Sequence, residues 1–571
     1  MRGVKSTDSK VGVFLCTCEG GIGENIDFEQ LTENIKDAAQ VTCVHIHDRL
    51  CGREGQHFLS QKTSESKVER IVIVGCTPRT YGDIVKKGAV SAGVDEHLVE
   101  HVNVREHCDW IHSDKESGTQ KAVCLVLGGI AKAANAESYE SQKITLANST
   151  DVLIIGGGVA GLTSALELLR RGMRVHLVER TEKLGGKAYA LDPVRLKDED
   201  VSLPDINVLT DSDNADIMLA SEVESISGTL GDYHIVISTG EDRKELVVGA
   251  IIAATGSELF DASRLPEYSY DDPDVIDYFE FEKMLAEGKL VVSSTGKVPK
   301  NINFIQCVGS RDENKGNAHC SLVCCTYAIG QAARIKALSP DTNVYIHYMD
   351  LRGPYNGFEE EFLNAQKLGV SFIRGRVAEV LRNDGRLTLR TEHIELGDVM
   401  NLETDMVVLA VGQEPSRGTE KLAEMVRLPV DVDGFMGYYN DRYDIVDRRG
   451  ISIAGSAQGP RGVLRSVSDA KKSAREIFGV LKNGLAAPSA HSVIDEVRCQ
   501  GCRVCEALCP YGAIFMKTVK DYITEEVKSV SSVNLAVCQG CGACAMACPA
   551  GVPQIIGFSN KEMLAQIDEL I

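Results

Sequence analysis

The chain has 571 residues, about three to four times a typical single-domain length, which excludes a lone small binding module. Hydrophobic residues at 43% and charged residues at 25% are the balance of a globular protein, so disorder is excluded over most of the length. Asp and Glu (82) outnumber Lys and Arg (61), and the net charge of −21 repels nucleic acid and anionic membranes, leaving small cofactors or basic protein patches as partners.

No run of about eighteen apolar residues occurs, and the amino-terminal stretch MRGVKSTDSKVGVFLCTCEGG lacks the features of a secretory signal. A cytoplasmic location without a transmembrane segment is expected. In that reducing compartment the nineteen cysteines read as metal ligands, redox groups or small buried residues, not as disulfides. They fall into three groups: seven from Cys16 to Cys124, four from Cys307 to Cys325, and eight from Cys499 to Cys548.

Within residues 11–140 the runs VGVFL, VTCVHI, RIVIV and HVNV each precede a polar turn and a helix-like stretch, the pattern of a parallel α/β sheet. Turns that follow parallel strands line one sheet edge, so Cys18, Cys51, Cys76 and Cys108 are expected to converge on a [4Fe–4S] cluster, with Cys16 the alternative to Cys18. Cys43 and Cys124 lie inside apolar runs and read as small buried residues. His101, His107 and His112, beside Cys108, read as surface histidines.

From Asp151 the chain reads DVLIIGGGVAGLTSALELLRRGMRVHLVER: an apolar strand, a glycine turn, a periodic helix, a second strand and an acid. Gly156, Gly158 and Gly161 let the backbone approach a pyrophosphate, the helix N-terminus stabilises its charge, and Glu179 accepts from ribose hydroxyls. Leu184-Gly185-Gly186-Lys187 follows, then strands ending at Ala253-Ala254-Thr255-Gly256, at VVLAVGQEP and at ISIAGSAQGP. These segments resemble the FAD-binding half of the thioredoxin-reductase type of two-dinucleotide-binding-domain flavoprotein. The resemblance implies FAD held by Gly156, Gly158, Val159, Ala160, Gly161, Glu179, Arg180, Gly185, Gly186, Lys187, Val223, Thr255, Gly256, Gly455 and Gln458.

In that type a second glycine fingerprint, on an inserted domain, binds NAD(P)H. The insert is expected from about residue 298 to 412, and its first strand, NINFIQCVGSRDENKG, has a single glycine where the fingerprint needs three. Cys307, Cys320, Cys324 and Cys325 stand there instead. No redox C-x2-C pair is present, and adjacent cysteines make a strained disulfide, so a [4Fe–4S] site beside the flavin is the preferred reading over a dithiol or structural group.

The last group spells C-x2-C-x2-C-x3-C-P twice, at Cys499, Cys502, Cys505, Cys509 and at Cys538, Cys541, Cys544, Cys548. Three thiolates in a tight loop wrap one cubane while the fourth reaches the other, so Cys499, Cys502, Cys505 and Cys548 should hold one [4Fe–4S] cluster and Cys538, Cys541, Cys544 and Cys509 the second. Zinc is the alternative for such pairs, but each half offers its four sulfurs in cluster order. Four clusters, about sixteen irons, and one FAD per chain are expected.

Taken together, CTCEGG, CGREGQ, GCTPRT, VREHCDW, the GGGVAG turn, the C-x12-C-x3-C-C group and the paired ferredoxin motifs resemble the A subunit of heterodisulfide reductase over almost the whole chain. The resemblance implies an α/β multidomain oxidoreductase. It comprises a parallel α/β domain (1–145), a thioredoxin-reductase-like FAD domain (146–490) and an α+β two-cluster ferredoxin domain (491–571). Redox cofactors, not side-chain acids or bases, carry the chemistry. The implied partners are B- and C-type heterodisulfide reductase subunits, the small iron–sulfur adaptor of a hydrogenase or of a formate or NADH dehydrogenase, ferredoxin, and a second copy of this chain. Bifurcating members split electron pairs between a heterodisulfide and ferredoxin.

Two departures point to a relay in which bifurcation is weakened or absent. Residues 243–298 contain no cysteine, so the inserted ferredoxin module of larger members is missing. Five residues after Cys325, where bifurcating relatives place a lysine, stands Gly330, and Lys336 substitutes only if its side chain reaches back. A free-standing NAD(P)H-dependent disulfide reductase and a scaffold whose clusters serve only assembly are the competing readings.

Overall fold

Every residue of Val11–Cys16 (β1) is buried, as in the centre of a parallel sheet covered on both faces. It pairs in parallel with Val41–His47 (β2) and Arg70–Gly75 (β3), and β3 with Val99–Asn103 (β4), in the order β2-β1-β3-β4. The four apolar runs of the amino-terminal region are these strands. The chain steps from β1 out to β2 and back across to β3, so the carboxyl ends of β1 and β3 open a crevice at the reversal. The helix Lys115–Asn135, capped by the Asp114 side chain, lies over β4. A Cβ on its Gly129 would stand 2.5 Å from Val102 Cγ2, so only glycine permits that approach.

The computed structural model describes residues 10–138, 143–144, 149–190, 203–353, 355–437, 450–486, 490–520 and 527–570; residues 1–9 of the amino-terminal stretch lie outside that set. The chain forms two compact units, one of 1–144 with 485–571 and one of 145–484. In the first, the carboxyl-terminal helix Asn560–Asp568 packs on the helix Lys115–Asn135, where Gln566 meets Gly128 and the Lys132 ammonium sits 4.6 Å from the Phe558 ring. The amino-terminal sheet and the ferredoxin segment, read as domains at opposite ends of the chain, thus share one unit.

The second unit uses one plan twice. A parallel sheet runs Ile451–Ile453, Ala250–Ala253, Val152–Ile155, Val175–Val178, Ala215–Met218, and the antiparallel strands Ser221–Thr229, Asp232–Thr239 and Asp242–Val248 branch from it. The inserted half repeats this with Val275–Asp277, Met406–Val411, Asn301–Val308, Asn343–Tyr348 and Val370–Arg374, and the antiparallel strands Val377–Asn383, Arg386–His393 and Asp398–Thr404. This is the two-dinucleotide-binding-domain architecture. The inserted sheet begins earlier than residue 298, because Val275–Asp277 pairs with Met406–Val411 as its edge strand. That short strand gives too little periodicity to be read from sequence.

Candidate flavin and cluster sites

The strand Val152–Ile155 passes through Gly156, Gly157 and Gly158 into the helix Val159–Leu169, whose N-terminus has no side-chain cap. Gly156 has φ +109°, and a Cβ there would stand 2.3 Å from the Ala254 carbonyl; one on Gly161 would stand 1.8 Å from the Gly156 carbonyl. Those two glycines are required by the fold itself. A Cβ on Gly158 or Gly256 would meet no protein atom within 4 Å, so there the backbone borders open space. The Thr255 hydroxyl beside it is buried without a partner. An uncapped helix start, two open glycines and an orphan hydroxyl fit a dinucleotide phosphate.

The other sequence-selected residues surround that turn. Glu179 accepts from the Gly157 amide at 2.7 Å and the Thr181 amide at 2.8 Å, which fixes its carboxylate at the end of the second strand. The Gly185 amide donates to Gly157, and Gly186 approaches the Gly158 Cα. Lys187 donates to the Ser257 carbonyl, and Arg180 pairs with Glu258 at 2.8 Å. Gly455 has φ +65° and comes against Ala160, where a Cβ would stand 2.8 Å from the alanine methyl; Gln458 donates to the Ile453 carbonyl. Val223 is buried in the core with Val178.

In the inserted half, Asn301–Val308 carries Cys307 (φ +61°) one residue before its end, and the helix Cys324–Leu338 opens on Cys324 and Cys325. The Cys324 thiol neighbours both Cys307 and Cys325. Its proximity draws the Cys307 thiol down to about 7, and the Arg311 guanidinium adds to the effect. Arg311 in turn pairs with Asp350. Cys324, and after it the Arg352 backbone, lower the Cys325 thiol. Cys320 stands on the preceding loop, half-buried, its sulfur accepting from the Leu322 amide at 3.4 Å. Three neighbouring thiols around a helix start, with a guanidinium close by, suit a group that carries negative charge through its sulfurs. Lys336 does not reach back toward them: its ammonium donates to the carbonyls of Pro340 and Thr342.

At the carboxyl edge of the amino-terminal sheet, the buried Cys76 thiol is pushed up to about 11 by burial, with Arg105 opposing and Cys18, Cys16 and Cys51 adding like charge. Arg105 also donates to the Cys18 sulfur at 3.6 Å. Cys108 differs from the expectation. It is fully buried on the π-helical turn Arg105–Asp109, raised to about 11 by burial, and its charged neighbours are Lys121, Asp109 and Cys124. The structure therefore groups Cys16, Cys18, Cys51 and Cys76, and sets Cys108 one turn beyond Arg105. Cys43 and Cys124 are half-buried, less enclosed than expected. His101 is half-buried on β4, not superficial, and desolvation holds it down at about 4.

In the ferredoxin segment, Cys509, Cys538, Cys541 and Cys544 line one pocket together with Ser492. These are the four thiols expected to share a cluster, the fourth coming from the other motif. The mirror set shares Ser531, whose amide donates to Cys499 at 3.4 Å and whose hydroxyl meets Cys505 at 3.3 Å. Among the described residues no three His, Cys, Asp or Glu side chains close on a single-ion site; thiolates around a cubane stand wider apart than those around one zinc. Sequence reasoning missed the two serines, although each stands seven residues before the first cysteine of a motif.

Residues 498–552 match the 4Fe-4S dicluster domain, and residues 151–190 match the FAD dependent oxidoreductase family. The fold and these sites define an oxidoreductase that transfers electrons through FAD and iron–sulfur clusters. Over 90% of its length the chain is 32% identical to the A subunit of the Ferredoxin/F(420)H(2)-dependent CoB-CoM heterodisulfide reductase of Methanosarcina acetivorans, covering 76% of that protein. It is 31% identical to the iron-sulfur A subunit of the CoB--CoM heterodisulfide reductase of Methanocaldococcus jannaschii, over 98% of each chain. The chain belongs to the family of heterodisulfide reductase A subunits. Among solved structures, thioredoxin reductase of T. acidophilum is similar at TM-score 0.40 and 20% identity, over 58% of this chain and 99% of that one. Among the described residues no helix is long and apolar enough to cross a membrane.

Proposed function

We propose that the chain is a non-bifurcating electron relay at the centre of a heterodisulfide-reductase-like complex, with one FAD and four [4Fe–4S] clusters. The observation that carries this reading is the grouping of Cys307, Cys324 and Cys325 at a strand end and helix start in the half of the fold where sister flavoproteins keep a nicotinamide turn. With that turn gone, electrons enter from a protein donor and not from NAD(P)H.

FAD supplies the exchange between two-electron and one-electron traffic. The helix start at Gly158 and Val159 takes its pyrophosphate, Thr255 and Gly256 line the approach, and Glu179 accepts from its ribose. Arg311 and the Arg352 backbone offset charge on the inserted cluster, held by Cys307, Cys320, Cys324 and Cys325. In the amino-terminal sheet Cys18, Cys51 and Cys76 hold a further cluster, with Cys108 as fourth ligand and Cys16 as its competitor. Of Cys16→Ser and Cys108→Ser, the one that removes about four irons per chain identifies the ligand.

The anchored Lys336 and half-buried Gly330 support relay over bifurcation, because no cation on this helix is held at the expected place to favour an anionic reduced flavin. The partners are B- and C-type subunits, a small iron–sulfur adaptor of a dehydrogenase or hydrogenase, ferredoxin and a second copy of the chain; the acidic surface suits docking to Lys/Arg patches. The test is stoichiometric: with one donor, the purified complex reduces a high-potential acceptor alone. Coupled reduction of a low-potential acceptor in fixed ratio overturns the relay reading, and reduction of the chain by NADPH overturns the donor assignment.

A further inference from the structure

The ferredoxin segment repeats more than its cysteines. Ser492 stands seven residues before Cys499, and Ser531 seven before Cys538, each followed closely by a valine and then the C-Q-G-C run. The structure crosses them. The Ser492 amide donates to Cys538 at 3.4 Å, and the Cys544 thiol donates to the Ser492 hydroxyl at 3.3 Å. The Ser531 amide donates to Cys499 at 3.4 Å, and the Cys505 thiol donates to the Ser531 hydroxyl at 3.3 Å. Each serine therefore serves the motif of the other repeat. Both serines are 2% exposed, so water does not compete for their hydroxyls.

We propose that Ser492 and Ser531 are positioning residues that raise the reduction potentials of the two ferredoxin clusters crosswise, each acting on the cluster held by the opposite motif. The inference rests on the ligand sets assigned above. When iron takes the place of the thiol proton, the hydroxyl carries the only proton left in the Cys544–Ser492 and Cys505–Ser531 contacts, so the direction of donation reverses and the serine donates to a charged sulfur. One added electron takes a [4Fe–4S] cluster from its 2+ to its 1+ state and increases the negative charge on its sulfurs, so a donated hydrogen bond stabilises the reduced form more than the oxidised one. Ser531 has a second sulfur neighbour, Met516 Sδ at 3.4 Å, but a thiolate outcompetes a neutral thioether for the proton. The strand of each repeat thus caps its neighbour's cluster, which couples the two potentials to one fold.

The experiment is a dithionite-driven, EPR-monitored redox titration of the full chain, its ferredoxin waves assigned by Cys502→Ser and Cys541→Ser. Ser531→Ala is expected to shift the one-electron equilibrium of the Cys499, Cys502, Cys505 and Cys548 cluster about tenfold toward the oxidised form, about 59 mV, and to leave the other wave in place. Ser492→Ala is expected to do the same to the Cys538, Cys541, Cys544 and Cys509 cluster. If an alanine variant loses iron, Ser531→Thr against Ser531→Val carries the test, since the two differ by the hydroxyl at nearly equal volume. Unmoved waves at full iron content, or movement of the wave belonging to the serine's own motif, overturn the inference. Absence of two ferredoxin waves from the unsubstituted chain overturns the cluster assignment instead.

Discussion

The two halves of the 145–484 unit build the same strand-to-helix junction from different chemistry. In the first, Ile155 reaches Val159 through Gly156, Gly157 and Gly158, and the helix presents bare amides. In the second, Val308 reaches Cys324 only across residues 309–323, and the helix presents thiols. The amides of a helix start attract an anion whatever its identity. A short glycine turn leaves the amides open to a pyrophosphate, whereas the longer connection brings cysteines from strand and loop to the helix start.

The comparison breaks most visibly at Cys324. Cys324→Ser should remove about four irons per chain, read by iron and acid-labile sulfide analysis, and should spare the flavin. Undiminished iron would make the thiol grouping a packing feature. In the glycine half, Gly161→Ala places a methyl 1.8 Å from the Gly156 carbonyl and should cost about 3 kcal/mol or more in chemical denaturation.

Gly158→Ala sharpens the contrast, because its methyl meets no protein atom within 4 Å. Unfolding of the flavin-free protein should be unchanged while FAD affinity falls about tenfold or more, measured by flavin retention. Equal losses in both measurements would mean that the open space is not the flavin's.

A further effect in the inserted half concerns pH. Burial holds His347, in the inserted half, down at about 4; it bonds Asn303 at 2.8 Å and Thr391 at 3.2 Å. Between about pH 6.5 and pH 4 the unfolded chain binds a proton that the folded form refuses, so stability falls as pH falls through that window, by about 3 kcal/mol at most. His347→Gln should flatten that slope in denaturation curves; an unchanged slope would remove His347 as its source.

Much of this was legible in the sequence, for local reasons. The four amino-terminal strands are runs of apolar residues, the glycine turn is a run of three glycines between an apolar strand and a periodic helix, and the ferredoxin spacing places three thiols in one loop. The edge strand Val275–Asp277 was not legible, because three residues carry no period and its pairing partner lies more than a hundred residues away. Nor was the environment of Cys108: its spacing resembles that of the other turn cysteines, but the π-helical turn redirects it toward Cys124 and Lys121.

The sequence by itself determined which cofactors this chain is built for, since ligand type and short-range spacing are written along the backbone. Tertiary structure alone decided which distant segments meet: that the first and last parts of the chain form one unit, that Lys336 is tied down at Pro340 and Thr342, and that each ferredoxin serine serves the opposite repeat. The physical reason is that packing and hydrogen bonding depend on proximity in space, and no one-dimensional pattern encodes proximity between segments far apart in the chain.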